Sequence, residues 1–166
     1  MRVPRGLKRV ATLCILKDPA RASFLLLKRY KEPHKNLFCP VGGKLDPHEG
    51  PRAAAKREIF EETGLSPGHL KYCGVMTETS PVEYNWTCYV YMSELESRIT
   101  PPPCDEGILE WIDFDDIESR RVQIPQTDPF VYKYVLAGKP FAFDVEYDAE
   151  LNVTSMVEGL ENVTLC

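Results

Sequence analysis

The chain has 166 residues, of which 43% are hydrophobic and 27% are charged, and its formal net charge at pH 7 is −5. A chain of this length and composition suits one soluble domain that buries its own core. The negative charge argues against general affinity for nucleic acid polymers, which normally require a basic surface, and no run approaches the ~20 apolar residues of a membrane-spanning helix.

The first predicted elements are strands. Residues 9–16 and 23–28 are short apolar runs separated by a polar turn at 17–21, so they predict a pair of strands. A third run, residues 37–41, leads directly into a glycine turn at 42–43.

A helix is predicted next, over about residues 50–63. Pro51 is acceptable in its first turn, and Gly64 is a suitable stop because glycine readily adopts the left-handed conformation that ends helices. Ala55 and Ile59 are expected to make the core contacts of this helix.

The second half of the chain continues with strands and one more helix. Strands are predicted at residues 70–76, 87–92 and 107–114, a helix at 128–136, and a closing hairpin at 140–147 and 151–157. Strands interleaved with two helices predict an α/β (α+β) fold in a single domain spanning residues 1–166.

The six cysteines carry no metal-binding or disulfide pattern. They are Cys14, Cys39, Cys73, Cys88, Cys104 and Cys166. No Cys-x-x-Cys motif occurs, so the familiar zinc spacings are excluded. The apolar run at residues 11–16 is too short for a signal peptide. Free thiols and no targeting segment predict a cytoplasmic protein.

The predicted helix at 50–63 carries three glutamates on one side. At about 100° per residue, Glu58, Glu61 and Glu62 lie within an arc of roughly 100°. Like charges at this spacing repel, and the one basic neighbour at helical spacing is Arg57. Three glutamates alone are typical of an acidic surface helix. Carboxylates that converge without compensation are also what Mg²⁺ binds, together with substrate phosphates.

The full spacing of the segment decides between these interpretations. Its residues are Gly43, Glu49, Arg57, Glu58, Ile59, Glu61, Glu62, Gly64 and Leu65. Seven fixed residue types and two apolar ones at this spacing arise by chance about once in 10⁹ starting positions. The segment 43–65 resembles the Nudix box at every defining position. That box belongs to hydrolases that cleave nucleoside diphosphates linked to another moiety.

The resemblance implies the Nudix fold, an α/β/α sandwich with a central mixed β-sheet, and a Mg²⁺ cofactor for which Mn²⁺ can substitute. It also implies that Glu58, Glu61, Glu62 and the carbonyl of Gly42 are metal ligands. One of these glutamates acts as or near the general base. Arg57 is expected to hold a glutamate in its ligating rotamer, or to form a plain i,i+4 ion pair.

Residues outside the box complete the expected site. Glu106, with Asp105 as the alternative, is similar in position to a further acid that many Nudix hydrolases contribute to the metals, although an acidic loop before a strand would look the same. Lys44 and Arg29 are candidates to contact phosphate as positive charges.

The resemblance extends over nearly the whole chain to the MutT/MutX-like 8-oxo-dGTP diphosphatases. In those enzymes an acid near the start of the C-terminal helix faces the purine, and Asp128 matches it. Phe38 matches an aromatic residue that lines the same pocket. Cys39 and Pro40 depart from these relatives, which often carry a base-reading asparagine there, so the selectivity for the base stays open.

The resemblance therefore implies a Mg²⁺-dependent nucleoside triphosphate pyrophosphohydrolase that acts on 8-oxo-dGTP. The alternatives are a Nudix hydrolase of ADP-ribose, for which Pro81 lies about where a proline is usual, of a dinucleoside polyphosphate, or of an RNA 5′ end. A catalytically inactive ligand-sensing module is a further alternative, but such modules typically lose box glutamates. The expected partner is a small nucleotide, with the protein a monomer or homodimer.

Overall fold

The computed structural model describes residues 4–166, which form ten strands and three helices. The strands are β1 (Arg9–Lys17), β2 (Ser23–Arg29), β3 (Phe38–Cys39), β4 (Val41–Lys44), β5 (Lys71–Thr79), β6 (Trp86–Glu94), β7 (Gly107–Asp113), β8 (Phe141–Tyr147), β9 (Val153–Glu158) and β10 (Val163–Thr164), and the helices are α1 (Pro51–Thr63), α2 (Phe114–Glu118) and α3 (Asp128–Leu136). The strands and helices expected from the sequence are confirmed, whereas β4, α2 and β10 were not expected.

The strands form one mixed sheet. Its main path runs β10-β9-β8-β5-β6-β1-β2-β3, with β4 paired to β1 and β7 paired to β2. The β1–β6 and β5–β8 pairs are parallel, and the other pairs are antiparallel. Strand β1 pairs with β6 along its full length, so the core of the sheet is a parallel pair flanked by hairpins.

Two apolar clusters cover the two faces of this sheet. One contains Ala55 and Ile59 of α1, which confirms the expected core contacts of that helix. The other contains Val131, Tyr132 and Val135 of α3. Because each cluster joins a helix to one face of the sheet, the architecture is the expected α/β/α sandwich.

Strand β1 has two partners on its other edge, and this fork shapes the site. It pairs with β2 only at Leu16 and Lys17, while its first half pairs with β4. The expected glycine turn at 42–43 is therefore part of a strand. At Gly42, where φ is 147°, a Cβ atom would collide with the carbonyl oxygen of Thr12. Only glycine lets β4 approach β1 this closely.

Helix α1 is held by its ends and its apolar side. Gly50 is the N-cap and Pro51 is the first helical residue. Gly64 adopts the left-handed conformation at φ 73°, and its N–H donates to the carbonyl of Phe60 at 2.8 Å. The predicted stop is thus confirmed.

No helix among the described residues is long and apolar enough to cross a membrane.

Candidate active site

A cavity of about 440 Å³ opens beside the fork of β1 and β4. Six of the predicted site residues line it, namely Arg29, Gly42, Lys44, Glu58, Glu106 and Asp128. Two groups of acids meet there. We call the region of Gly42, Gly43, Glu58, Glu62 and Glu106 the glutamate end, and the region of Glu78, Tyr84 and Asp128 the Asp128 end.

Glu62 is the most buried carboxylate of the glutamate end, with 5% of its surface exposed. Its Oε2 accepts a hydrogen bond from the N–H of Gly42 at 3.2 Å, while its Oε1 is buried without a partner. Burial first, and then the charge of Glu106, raise the pKa of Glu62 to about 8. This carboxylate therefore lacks a balancing positive group.

Glu58 lies one helical turn before Glu62 and packs directly against β4. A Cβ atom on Gly43 would lie 2.6 Å from the carboxyl carbon of Glu58, so the glycine leaves the space that this carboxylate fills. Burial raises the pKa of Glu58, Arg57 opposes the shift, and the charges of Glu61 and Glu106 add to it. Glycine at 43 thus brings a carboxylate to the cavity wall.

Arg57 connects the glutamates of the box. Its Nε and Nη2 donate to the two carboxylate oxygens of Glu49, each at 2.8 Å. Its Nη1 donates to Glu58 Oε1 at 2.6 Å and to Glu61 Oε2 at 3.3 Å. Its Nη2 also reaches the carbonyl of Lys44 at 3.0 Å. These contacts include the i,i+4 pair with Glu61 and also orient Glu58. The role of Arg57 in holding a ligating glutamate stays a prediction.

Glu49 anchors this arginine from outside the cavity. The hydrogen bond from Arg57, followed by the N–H of Asp46, lowers the pKa of Glu49 to about 2. The two parallel hydrogen bonds between the guanidinium group and the carboxylate fix the plane of the guanidinium group. Glu49 is therefore bound to Arg57 and does not line the cavity.

The structure carries side chains that fit a divalent cation at the glutamate end. Within residues 4–166, no three acidic, histidine or cysteine side chains already surround one point, and Arg57 holds two of the carboxylates concerned. The unpartnered Oε1 of Glu62 and the mutual repulsion among Glu58, Glu62 and Glu106 nevertheless describe a set of oxygens that a hard cation would stabilise.

Glu106 is better placed than Asp105 to join this set. Both residues are exposed in the turn before β7, but only Glu106 lines the cavity. The charge of Glu106 acts on both Glu58 and Glu62. Glu61 does not line the cavity, and its side chain is 55% exposed beside Arg57.

Two basic side chains reach the cavity from different strands. Lys44 is exposed at the end of β4. Arg29 ends β2, and its Nε donates to the carbonyl of Pro33 at 2.8 Å. Both residues line the cavity, so positive charge is available there for an anionic ligand.

Asp128 lies at the other end, at the first position of α3, and is 4% exposed. Its Oδ1 accepts from the hydroxyl of Thr127 at 3.3 Å, and its Oδ2 is buried without a partner. Burial, and then the charge of Glu78, raise its pKa to about 8. The N-cap of α3 is Thr127 and no side chain caps the helix, so a capping role does not explain Asp128.

Buried polar atoms without partners mark the site. Among residues 4–166 they belong to Thr12, Glu62, Asp128 and Tyr132. Thr12 and Asp128 line the cavity, Glu62 contacts Gly42 in its wall, and the charge of Asp128 acts on Tyr132. Orphaned groups are costly in a folded protein, so their clustering here indicates a place that a ligand completes.

Sequence reasoning missed Glu78, Tyr84 and Trp86, which also line the cavity. Glu78 is 4% exposed on β5 and lies two residues after buried Met76. Side chains alternate between the two faces of a strand, so an acid two residues after a buried apolar residue lies on the same face. That position was the sequence signal that could have identified Glu78. Tyr84 and Trp86 flank the start of β6 and give no comparable pattern.

Phe38 is not where the resemblance implied. It is 9% exposed, belongs to the core cluster on the α3 face, and does not line the cavity. The Nζ of Lys28 lies 5.7 Å from the centre of its ring. Phe38 is therefore part of the core, and the aromatic side chains that line the cavity are those of His34, Tyr84 and Trp86.

Comparison with known proteins agrees with this geometry. The family model described as the NUDIX domain matches residues 7–134. The uncharacterized Nudix hydrolase YvcI of Bacillus subtilis is 24% identical over 132 residues, which cover 77% of this chain and 79% of that protein.

Solved structures share the fold. A mutator MutT protein from Bacillus halodurans superposes with a TM-score of 0.76 at 22% identity, covering 92% of this chain and 98% of that one. The NUDIX domain of Shewanella oneidensis NrtR, in complex with ADP ribose, gives a TM-score of 0.68 at 12% identity, covering 80% and 88%.

Nudix hydrolases generally use divalent metal ions, and structural neighbours with this domain bind small nucleotides such as ADP ribose. The family match spans most of the chain, and Gly43 and Glu58 of the box line the cavity, with Glu62 bonded to Gly42 in its wall. The chain therefore belongs to the NUDIX domain family, with the fold of the MutT proteins, and is a Nudix hydrolase.

Proposed function

We propose that this hydrolase is a Mg²⁺-dependent nucleoside triphosphate pyrophosphohydrolase that converts 8-oxo-dGTP to 8-oxo-dGMP and pyrophosphate. The observation that carries the proposal is a single cavity with uncompensated carboxylates at one end and a buried, unpartnered acid, Asp128, at the other. Its volume of about 440 Å³ is in the range of small-molecule sites.

The glutamate end suits the phosphates. Glu58, Glu61, Glu62 and Glu106, with the carbonyl of Gly42, would hold the cation, for which Mn²⁺ can substitute. A bound cation neutralises charge that develops on the phosphates and lowers the pKa of a water molecule. Lys44 and Arg29 meet the remaining phosphate charge. One box glutamate accepts the proton of the attacking water, and Arg57 keeps Glu58 in place while this happens.

The Asp128 end suits the base. Asp128 Oδ2 has no protein partner, so a purine edge would supply the hydrogen bond that the fold leaves out. Removing an oxidised nucleotide before polymerisation would place the enzyme in nucleotide-pool sanitation and DNA repair. Its six free thiols suit the reducing cytosol.

A substrate panel tests the proposal. The kcat/KM values for 8-oxo-dGTP, dGTP, dATP, ADP-ribose, a dinucleoside tetraphosphate and a capped RNA 5′ end are measured with Mg²⁺, and products are separated to show whether pyrophosphate leaves. We expect 8-oxo-dGTP to rank first with pyrophosphate as product. A higher value for ADP-ribose, the dinucleoside polyphosphate or the RNA would reject the substrate assignment. No hydrolysis of any of them would favour the ligand-sensing module.

A further inference from the structure

The Asp128 end contains a second buried acid that the box and the resemblance do not account for. Glu78 is 4% exposed, lines the same cavity, and lies on β5 rather than on α3. Among residues 4–166, no lysine or arginine side chain forms an ion pair with Glu78 or Asp128. A buried acid without a cation usually serves a ligand or a hydrogen-bond network.

Two tyrosines hold one oxygen of Glu78. The hydroxyl of Tyr147, on β8, donates to Glu78 Oε1 at 2.5 Å, and that of Tyr84 lies 3.5 Å from the same oxygen. Among residues 4–166, the one donor near Oε2 is the weak donor Cys88 Sγ, at 3.8 Å. The Tyr84 hydroxyl is in turn 2.9 Å from His34 Nε2. The carboxyl group is thus oriented through Oε1, with Oε2 available to a ligand.

The two acids have complementary hydrogen-bonding states. With its pKa raised to about 8, Asp128 carries its proton at neutral pH and can donate from one oxygen. Burial raises the pKa of Glu78, while the hydroxyl of Tyr147 and, more weakly, the charge of Lys8 oppose this. Because the Tyr147 hydroxyl donates to Oε1, the carboxyl group of Glu78 acts as an acceptor there. One donor beside a carboxylate acceptor is a pattern that a base edge can match.

We propose that Glu78 is a second base-contacting residue, which together with Asp128 selects a guanine-type purine. The Watson–Crick edge of guanine offers two adjacent N–H donors and one carbonyl acceptor. The donors suit Glu78, and the carbonyl suits the protonated Asp128. An adenine edge offers only one donor and one acceptor, so it leaves part of the site unmatched. The inference rests on the proposed function for its substrate class, because 8-oxo-dGTP carries the guanine-type edge.

Binding without catalysis tests this assignment. The Kd values of dGMP and dIMP, which differ only in the 2-amino group, are measured by calorimetry in EDTA. Wild type is expected to bind dGMP at least tenfold more tightly, since a missing donor leaves a buried acceptor unpaired. Glu78→Gln should reduce this ratio to threefold or less. Tyr147→Phe, which frees Oε1 but keeps the carboxylate, should give an intermediate ratio.

A matched variant separates base contact from structural support. Glu158→Gln makes the same change at a fully buried glutamate outside the cavity, where the carboxylate accepts from the backbone N–H groups of Ala142, Leu160 and Glu161. It should lower the melting temperature and preserve the dGMP to dIMP ratio. A purely structural Glu78 would behave in the same way, and that result would overturn the inference.

The remaining outcomes are also decisive. Equal wild-type affinity for dGMP and dIMP, or no binding of dGMP at millimolar concentration, would overturn the inference. If Glu78→Gln does not fold, the dGMP to dIMP ratios of wild type and of Tyr147→Phe decide whether the inference stands. If wild type hydrolyses nucleoside triphosphates but Glu78→Gln leaves the dGMP to dIMP ratio unchanged, the role of Glu78 is rejected and the proposed function stands. A wild-type dGMP preference without hydrolysis would reject the proposed function alone.

Discussion

Both ends of the cavity are acidic, but their carboxyl groups have different kinds of partner. At the glutamate end, Arg57 binds Glu49, Glu58 and Glu61, so part of the repulsion is already balanced within one helix and its preceding loop. At the Asp128 end, two acids from distant elements are buried with hydroxyl groups as their main partners, those of Tyr147 and Tyr84 for Glu78 and that of Thr127 for Asp128. The first arrangement is suited to binding and releasing a cation. The second is suited to a neutral hydrogen-bonding edge.

Removing the metal should have the largest effect, and only through the glutamate end. We expect hydrolysis to fall to background in excess EDTA and to return with Mg²⁺ or Mn²⁺, since carboxylates and two basic side chains alone do not neutralise a triphosphate. Mg²⁺ should also raise the melting temperature, because a ligand that binds only the folded state stabilises it, by about 2.7 kcal/mol at a hundred times its Kd. Full activity in excess EDTA would show that hydrolysis does not require a cation at this site.

Neutralising one box glutamate should come next. Glu62→Gln keeps the shape of the side chain and its contact with Gly42, but removes a charged oxygen, so kcat should fall by orders of magnitude. Glu61→Gln and Glu58→Gln should follow it, and Glu106→Gln should cost less. The control is Glu118→Gln, on the exposed end of α2, which should leave kcat unchanged.

The magnitude separates this role from a structural one. A Glu62→Gln enzyme that retains more than about a tenth of the wild-type kcat has lost only ~1.4 kcal/mol of transition-state stabilisation, too little for a ligand or base. Circular dichroism and melting temperature should show an intact fold. The Mg²⁺-dependent rise in melting temperature should shrink in this variant.

Altering the Asp128 end should change the preferred base more than the chemistry. Asp128→Ala removes the group that the purine edge is expected to meet, which costs ~1–3 kcal/mol and predicts a 10- to 100-fold loss in kcat/KM for 8-oxo-dGTP. A poor substrate that wild type barely discriminates should be affected much less. A lower melting point with an unchanged preference for 8-oxo-dGTP over dGTP would place base recognition elsewhere.

The sequence predicted the glutamate end far better than the Asp128 end, for a physical reason. The proposed ligands Glu58, Glu61 and Glu62 share one helix, so their placement relative to one another follows from helical periodicity alone. The Asp128 end joins residues of β5, β6, β8 and α3, whose meeting depends on sheet order. Asp128 itself was identified by resemblance, whereas Glu78 required the register of β5. Phe38 was expected to line the cavity but belongs to the core, because sequence spacing does not reveal which aromatic residues pack there.

The elements of the fold show the same division. Helix α1 and its stop at Gly64 follow from local signals, and so does the β8–β9 hairpin. The fork of β1 between β2 and β4 does not, because residues 42–43 read as a turn in isolation and become a strand only through pairing with β1. Long-range pairing therefore set the position of the wall against which Glu58 and Glu62 lie.

The last expected effect is on stability rather than on activity, and it concerns the Asp128 end. Asp128 has a folded-state pKa of about 8, above the ordinary value of 3.8. The folded protein then holds a proton that the unfolded chain has released, so the stability contributed by this group is present below pH ~4 and is lost as pH rises toward 8. Asparagine does not titrate, so Asp128→Asn should gain stability relative to wild type over this interval.

The free energy of unfolding in urea, measured at pH 5, 6, 7 and 8, checks this. The difference between Asp128→Asn and wild type should grow with pH by up to ~1.4 kcal/mol per unit. It will fall short of that limit because the charge of Glu78 shares the effect. Asp144→Asn removes an exposed carboxylate on β8 and is the matched control. A constant difference for Asp128→Asn would mean that Asp128 is ionised throughout, and the donor required for a guanine-type edge would then have to come from another group at this end.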